Sequence, residues 1–152
     1  MRALELNTHT VTIGAAPDKV YPEIIRWGEA GWWPKKSQMR FVRAGGAGIQ
    51  KGTRYRQQVL LPLAPSWDVE VEEVTPRSIT RAFLNGMFEG YETVSVSPVG
   101  AGTHVLYEMH YRVRGFFNRM LWPVVFEKMH DANIKEILKN LKNFIEGGAG
   151  TR

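Results

Sequence analysis

Apolar and polar residues alternate along most of the first three quarters of this chain, and a helical repeat takes over in the last quarter. Leu4 to Ile13 alternates and predicts a strand. Ala15-Ala16-Pro17-Asp18 then opens a short helix, with proline at an early position where its missing N–H costs nothing. Val20, Tyr21, Ile24 and Ile25 give that helix an apolar side; Trp27-Gly28 interrupts it, and Glu29 to Trp33 suits a second short helical turn before Pro34. Six more strands are predicted at 38–43, 52–61, 66–75, 78–85, 87–97 and 103–114, separated by turn signals. Asn85-Gly86 suits the positive φ angles of a two-residue type I′ hairpin. Pro62 and Pro65, Pro76, and Pro98-Val99-Gly100 punctuate the other connections. A long helix is predicted from about Phe116 to Glu146, and Pro123 either kinks it or sits near its true start.

Strand pairing can be tested against chemistry. A two-residue Asn85-Gly86 turn pairs Phe83 with Phe88 and Arg81 with Gly90. The last hairpin pairs Val94 with Tyr107, Glu92 with Met109 and Gly90 with Tyr111, and on its other face Glu89 with Arg112. The first long hairpin pairs Leu61 with Trp67 and Val59 with Val69, which brings Arg56 to Glu72 outside. Apolar residues gather on one face and opposite charges on the other, as sheet pairing favours.

The inner face so defined carries Tyr55, Gln57, Val59, Trp67, Val69 and Val71 from the first hairpin. Ile79, Phe83, Phe88, Val94, Val105, Tyr107, Met109, Tyr111 and Val113 continue it. So large an aromatic-rich surface must be covered. The terminal helix supplies the cover, with Ile134, Ile137, Leu138, Leu141, Phe144 and Ile145 on one stripe and Lys135, Glu136, Lys139, Lys142 and Asn143 opposite. Extending the stripe backward turns Phe126 and His130 toward the sheet. The fold class is α+β, one domain over 1–146 with a flexible tail at 147–152.

The inner face also carries polar groups. In these registers Glu73 faces Arg81, Glu92 lies diagonally from Arg81, and Gly90 leaves room for the long side chain. Tyr55 sits opposite Glu73, with Gln57 beside it. Charges in such a place are costly unless paired and hydrogen-bonded. They form either a self-satisfied structural network or a site that fixes a ligand's polar end or tunes a catalytic group. His130 is a candidate general acid or base with Asp131, Glu127 or a cavity tyrosine as partner; the bland alternative is a hydrogen-bonded helix histidine. Trp27, Trp32 and Trp33 read as core or lid packing, with a mobile portal as the functional alternative.

Composition narrows the chemistry. The chain has no cysteine, which removes thiolate ligation, cysteine nucleophiles and disulfides and is compatible with a reducing, cytoplasmic setting. His9, His104 and His110 lack metal-ligand spacing with His130 or each other, so no metal is expected. Gly45-Gly46-Ala47-Gly48 lacks the spacing of a phosphate loop, and no serine lies in a nucleophile elbow. The opening MRALELNTHTVTIGAAP has no continuous apolar run and makes a poor signal peptide, and no stretch suits a membrane span. The net charge is +5, with ten Lys/Arg against four Asp/Glu in residues 1–66. The basic residues there (Arg40, Arg43, Lys51, Arg54, Arg56) are scattered and read as a solvated, partly paired face.

The order strand, two short helices, six strands and long C-terminal helix resembles the START-related, birch-pollen-allergen-like helix-grip superfamily, known as SRPBCC. Within it the chain looks like the polyketide cyclase/dehydrase-like and small lipid-binding members. The resemblance is carried by Val11-Thr12-Ile13-Gly14-Ala15-Ala16-Pro17-Asp18-Lys19-Val20-Tyr21 and Trp33-Pro34. Glu70-Val71-Glu72-Glu73-Val74-Thr75-Pro76 and the helix from Met120-Leu121-Trp122-Pro123 through Leu141 complete it. It implies a seven-stranded curved sheet around the helix and a deep cavity for sterols, lipids, polyketides or other aromatic molecules.

Three functions stay open. The first is a binding or carrier protein for a hydrophobic small molecule, held by Tyr55, Gln57, Trp67, Val69, Val71, Arg81 and Phe83 from one side of the sheet. Phe88, Glu92, Tyr107, Met109, Tyr111, Phe126 and His130 complete that set. The second is a cyclase/aromatase or dehydratase working without cofactor, with Arg81 as anchor or oxyanion partner and Glu92, Tyr107, Tyr111 or His130 as acid/base. The third is an interaction module or lipid shuttle making weak contact with an anionic membrane through the basic N-terminal half. Nucleic acid is not an expected partner, and either a monomer or a homodimer is compatible.

Overall fold

The structure is a computed structural model that describes residues 3–35, 39–45, 48–60 and 66–147. Seven strands form one antiparallel sheet: β1 (Glu5–Ile13), β2 (Met39–Arg43), β3 (Arg54–Val59), β4 (Ser66–Thr75), β5 (Ser78–Phe83), β6 (Phe88–Val99) and β7 (Gly102–Val113). Their order is β1-β7-β6-β5-β4-β3-β2. α1 (Pro17–Ile25) follows β1, with Pro17 in its first turn. The last helix has three pieces: α2 (Phe116–Leu121), a π-helical turn (Trp122–Phe126) and α3 (Glu127–Gly147). The sheet curls as a half-barrel around this 32-residue helix, which is the helix-grip fold. Pro123 falls at the π turn, where the looser winding accommodates a residue with no N–H to donate.

Strict alternation drives the arrangement. Along β7 every second residue from Thr103 to Val113 is buried and the others are partly exposed. α3 closes that face with Ile134, Ile137, Leu138 and Leu141, all buried. At its end only Ile145 still touches the core, while Phe144 is 42% exposed and leaves the predicted stripe. The second short helix is instead a run of turns: the Glu29 and Ala30 N–H groups donate to the Arg26 carbonyl, and Trp33 N–H to Ala30. Gly28, at φ 86°, turns the chain out of α1 before another helix can begin.

The β6–β7 register is the predicted one, including Glu92 beside Met109 and a 3.2 Å contact from Arg112 to Glu89. Two others slip. β5 pairs Phe83 with Gly90 and Arg81 with Glu92, so Arg81 faces Glu92 directly and not Gly90. The Asn85 side chain is used elsewhere, accepting from the Asp68 N–H and donating to its carboxylate, while the next-but-one residue, Met87, is buried. β3 pairs Tyr55 with Val69 and Arg56 with Asp68, displacing the expected Arg56–Glu72 and Val59–Val69 pairs. Leu61, Pro62 and Pro65 lie outside the described residues, as do Gly46, Ala47 and the tail from 148 onward. The β5–β6 slip is two residues and the β3–β4 slip four; both preserve the faces, because an even shift returns every side chain to its own side.

A third difference matters more. Between Val71 and Glu73 the β4–β5 register shifts by a bulge, so Val71 pairs with Arg81 and Glu73 with Thr80. The extra residue turns Glu73 out to solvent, where it cannot be a counter-ion of Arg81. Gly90 also has a different reason to be glycine. Its φ is 127°, and a Cβ there would lie 2.0 Å from the His110 carbonyl oxygen, so the backbone requires it and not the Arg81 side chain. The basic excess of the N-terminal half is partly paired, through Arg43–Glu29, Arg54–Glu70 and Arg56–Asp68 contacts of 2.8–3.0 Å. Among the described residues no helix is long and apolar enough to cross a membrane.

Candidate functional site

Hydrogen-bonded on both edges, β5 must send Ile79, Arg81 and Phe83 to one side, and the apolar pair takes Arg81 inward. Arg81 is 0% exposed and Glu92, opposite it, 1%. Their closest approach is 3.9 Å, too long for a hydrogen bond. The other Glu92 oxygen accepts from the Tyr107 hydroxyl at 2.9 Å, and the Arg81 guanidinium lies 5.6 Å from the Tyr55 ring centre. All three guanidinium nitrogens, one Glu92 oxygen and the Tyr55 hydroxyl have no hydrogen-bond partner. The Tyr55 hydroxyl is near enough to Arg81 to feel its charge without reaching hydrogen-bond geometry.

These surroundings bias protonation. Burial raises the Glu92 pKa, opposed by the charge of Arg81 and the Tyr107 hydrogen bond. Burial lifts Tyr107 well above the usual phenol range, and the Glu92 carboxylate adds to that. Tyr55 is raised by burial, with Arg81 opposing. Tyr111 is pushed up to about 12 by burial, although its hydroxyl accepts from the Trp122 indole at 2.9 Å, which works the other way.

A second polar group sits where β1 meets α3. His9 stands opposite Tyr107 in the β1–β7 pairing and donates from Nε2 to Asp131 at 2.9 Å; Asn7 donates to the same oxygen at 2.8 Å. Burial alone would raise the Asp131 pKa, but these hydrogen bonds hold it below its ordinary value. His130 points the other way along the helix, into the interior. Its ring lies 5.9 Å from Tyr107, 5.8 Å from Trp122 and 6.4 Å from His9, centre to centre. Its Nε2 has no partner, and burial lowers its pKa to about 4, so the ring is neutral at pH 7. Among the described residues these groups do not form a cluster that could hold a metal ion.

The structure brings thirteen of the fourteen candidate ligand residues, from Tyr55 to His130, into the buried interior, with Phe126 half-buried beside them. Gln57 is engaged by the Trp67 indole, which donates to it at 3.1 Å. Side chains fill most of the space. A cavity of about 20 Å³ remains between the π turn and the sheet, bordered by Met39, Trp67, Met87, Trp122, Met129 and His130. That holds about one water, so the deep cavity implied by the resemblance is narrow in this conformation. Larger depressions, of about 360 Å³ beside β3 and 230 Å³ beside α2, are open, and neither Arg81 nor His130 borders them. Sequence reading missed His9, which needed the β1–β7 register to reach a residue 122 positions away. It likewise missed Met39, Met87 and Met129, which have no periodic signature.

Comparison with solved structures agrees with this architecture. The chain matches TTHA0849 from Thermus thermophilus at TM-score 0.72 and 21% identity, covering 93% of this chain and 97% of that one. It matches the ZhuI aromatase/cyclase from Streptomyces sp. R1128 at TM-score 0.67 and 16% identity, over 98% and 99% of the two chains. Truncated norcoclaurine synthase from Thalictrum flavum matches at TM-score 0.68 and 13% identity, over 94% and 95%. At such identities the likeness speaks for the fold alone. A comparison with curated proteins gives no sequence match. The family described as polyketide cyclase / dehydrase and lipid transport matches residues 7–146, nearly the whole domain just built from its strands and helices, and the chain belongs to that family.

Proposed function

We propose that the protein binds and carries a hydrophobic small molecule with one acidic or enolic head, held between the sheet and the C-terminal helix. The observation that carries this reading is Arg81, a fully buried guanidinium with three nitrogens lacking hydrogen-bond partners. Each unmatched buried donor costs about 1–3 kcal/mol, a cost that a ligand anion or enolate would offset. Glu92 does not compete strongly: it stays 3.9 Å away, and burial favours its neutral form. Phe83, Phe88, Trp67, Val69, Val71 and Met109 would contact the apolar body, with Tyr55, Gln57, Tyr107, Tyr111, Phe126 and His130 around the head. Three methionines border the narrow cavity, and their flexible side chains suit a site that opens around its guest.

Native mass spectrometry after gentle extraction tests the proposal. A copurifying small molecule, or uptake from a panel of acidic lipids and polyaromatics, is expected. Arg81→Met should lose affinity for acid-headed ligands and keep it for purely apolar ones. A chain that emerges empty and ignores the panel contradicts the reading.

A second reading, a cyclase/aromatase or dehydratase, is favoured by one observation: Arg81, Glu92 and Tyr107 form a chain that approaches the neutral His130 ring. A neutral imidazole and a buried carboxyl are suited to moving protons in aldol closure and water loss. The likeness to an aromatase/cyclase structure supports it at the level of fold. Turnover of a poly-β-keto substrate analogue that falls in Tyr107→Phe and His130→Gln would favour this reading over a carrier.

A further inference from the structure

The outer side of the C-terminal helix's first turns has no counterpart in the core. Phe116, Phe117, Met120, Leu121, Val124 and Val125 are 65%, 76%, 57%, 45%, 67% and 45% exposed. They form two adjacent rows at four-residue spacing. On an α-helix such rows drift by about 40° per step. The π turn at Trp122–Phe126 winds more slowly and keeps Val124 and Val125 close to the face of Phe116 and Phe117. Contiguous exposed apolar surface of this kind marks an interaction site.

Charge selects the partner. Arg114 precedes the helix and Lys128 continues the row of Phe116, Met120 and Val124, so two cations bracket the apolar face, with Arg119 on its flank. All three are exposed and make no salt bridge among the described residues, and Glu127 is the single acid from 112 to 128. In a symmetric dimer the same patch meets itself, which would bring each set of cations against its copy. An anionic bilayer supplies both what the apolar rows need and what the cations need. We infer that Phe116, Phe117, Met120, Leu121, Val124 and Val125, bracketed by Arg114 and Lys128, form a docking surface for an anionic lipid bilayer.

The inward side of the same turns carries Trp122, Phe126, Met129 and His130, which border the cavity. A bilayer engaging the outer rows therefore grips the segment that covers the interior. This link to loading rests on the proposed binding function; docking itself does not.

The test uses the full chain and vesicles of phosphatidylcholine with and without phosphatidylglycerol, free of any other ligand, so it is independent of whether the interior binds anything. Co-sedimentation with the anionic vesicles is expected, weakened but not abolished by high salt. Phe117→Asp/Val124→Asp should lower partitioning about tenfold or more with an unchanged melting temperature, since both side chains are exposed. Val99→Asp, at the far end of the β6–β7 hairpin and 48% exposed, should bind as wild type does. No sedimentation of wild type, or equal binding by the double variant, overturns the inference. So does a wild-type dimer in analytical ultracentrifugation that the same double variant dissociates, which would assign the face to a second copy.

Discussion

Replacing Arg81 with methionine removes a buried charge while keeping most of the side-chain volume, and it leaves Glu92 with one hydrogen bond, from Tyr107. Breaking a buried pair by deleting one partner costs about 3–5 kcal/mol when the orphaned charge persists. In a chain of this length that is a fall in melting temperature of about 6–20 °C. Glu92 has an escape, because it can take up a proton. Its folded pKa is already raised by burial, and Arg81 is the main influence opposing that. A carboxyl with a raised folded pKa contributes stability that is fully present below its unfolded pKa and is lost as pH rises through the folded one. Without Arg81 the folded pKa rises further, so the loss grows at higher pH. The variant should therefore lie close to wild type near pH 5 and well below it near pH 8 in thermal melts. Adding Glu92→Gln should recover most of the pH 8 deficit. Additive single effects, or a deficit that does not change with pH, would refute the coupling of these two residues.

Leu141→Ala, at a fully buried position, should cost about 2–5 kcal/mol in denaturant unfolding, against about 0.5 or less for exposed Lys139→Ala. Lys139 is the proper control because Lys142 donates to the Thr12 carbonyl and to Glu146. Gly90→Ala should lose at least about 2 kcal/mol, since its Cβ would meet the His110 carbonyl oxygen and its φ is positive; wild-type stability would contradict the backbone geometry. His130 should titrate near pH 4 by NMR. A base with a depressed folded pKa removes stability as pH falls from its unfolded value toward the folded one, so about 3 kcal/mol should be lost between pH 6.5 and 4 and spared in His130→Gln. A midpoint near 6.5 would place the ring in solvent.

The sheet, its sidedness and the inward placement of Arg81, Glu92 and Tyr107 were legible because alternation survives any slip of two residues. What failed were features that depend on single residues. The bulge between Val71 and Glu73 carries no glycine or proline to announce it, yet it sends Glu73 to the opposite face. Asn85-Gly86 looked like a closed turn because the side chain's bond to Asp68, across to β4, has no local signature. The His9–Asp131 contact joins the first strand to the last helix and follows only from the assembled sheet. The apolar run around Trp122 could be assigned an inner side, through Phe126 and His130, but being apolar all round it gave no warning that its outer side stays exposed.

The central claim, a ligand seated between sheet and helix, can be read most directly from the methionine methyl groups. Met39, Met87 and Met129 border the interior cavity, Met109 is buried on β7, and Met120 projects outward on α2. With methyl-labelled methionine, NMR titration with an acid-headed aromatic ligand should shift Met39, Met87, Met109 and Met129 together while Met120 stays in place. Shifts confined to Met120, or none at saturating ligand, would contradict an interior binding site.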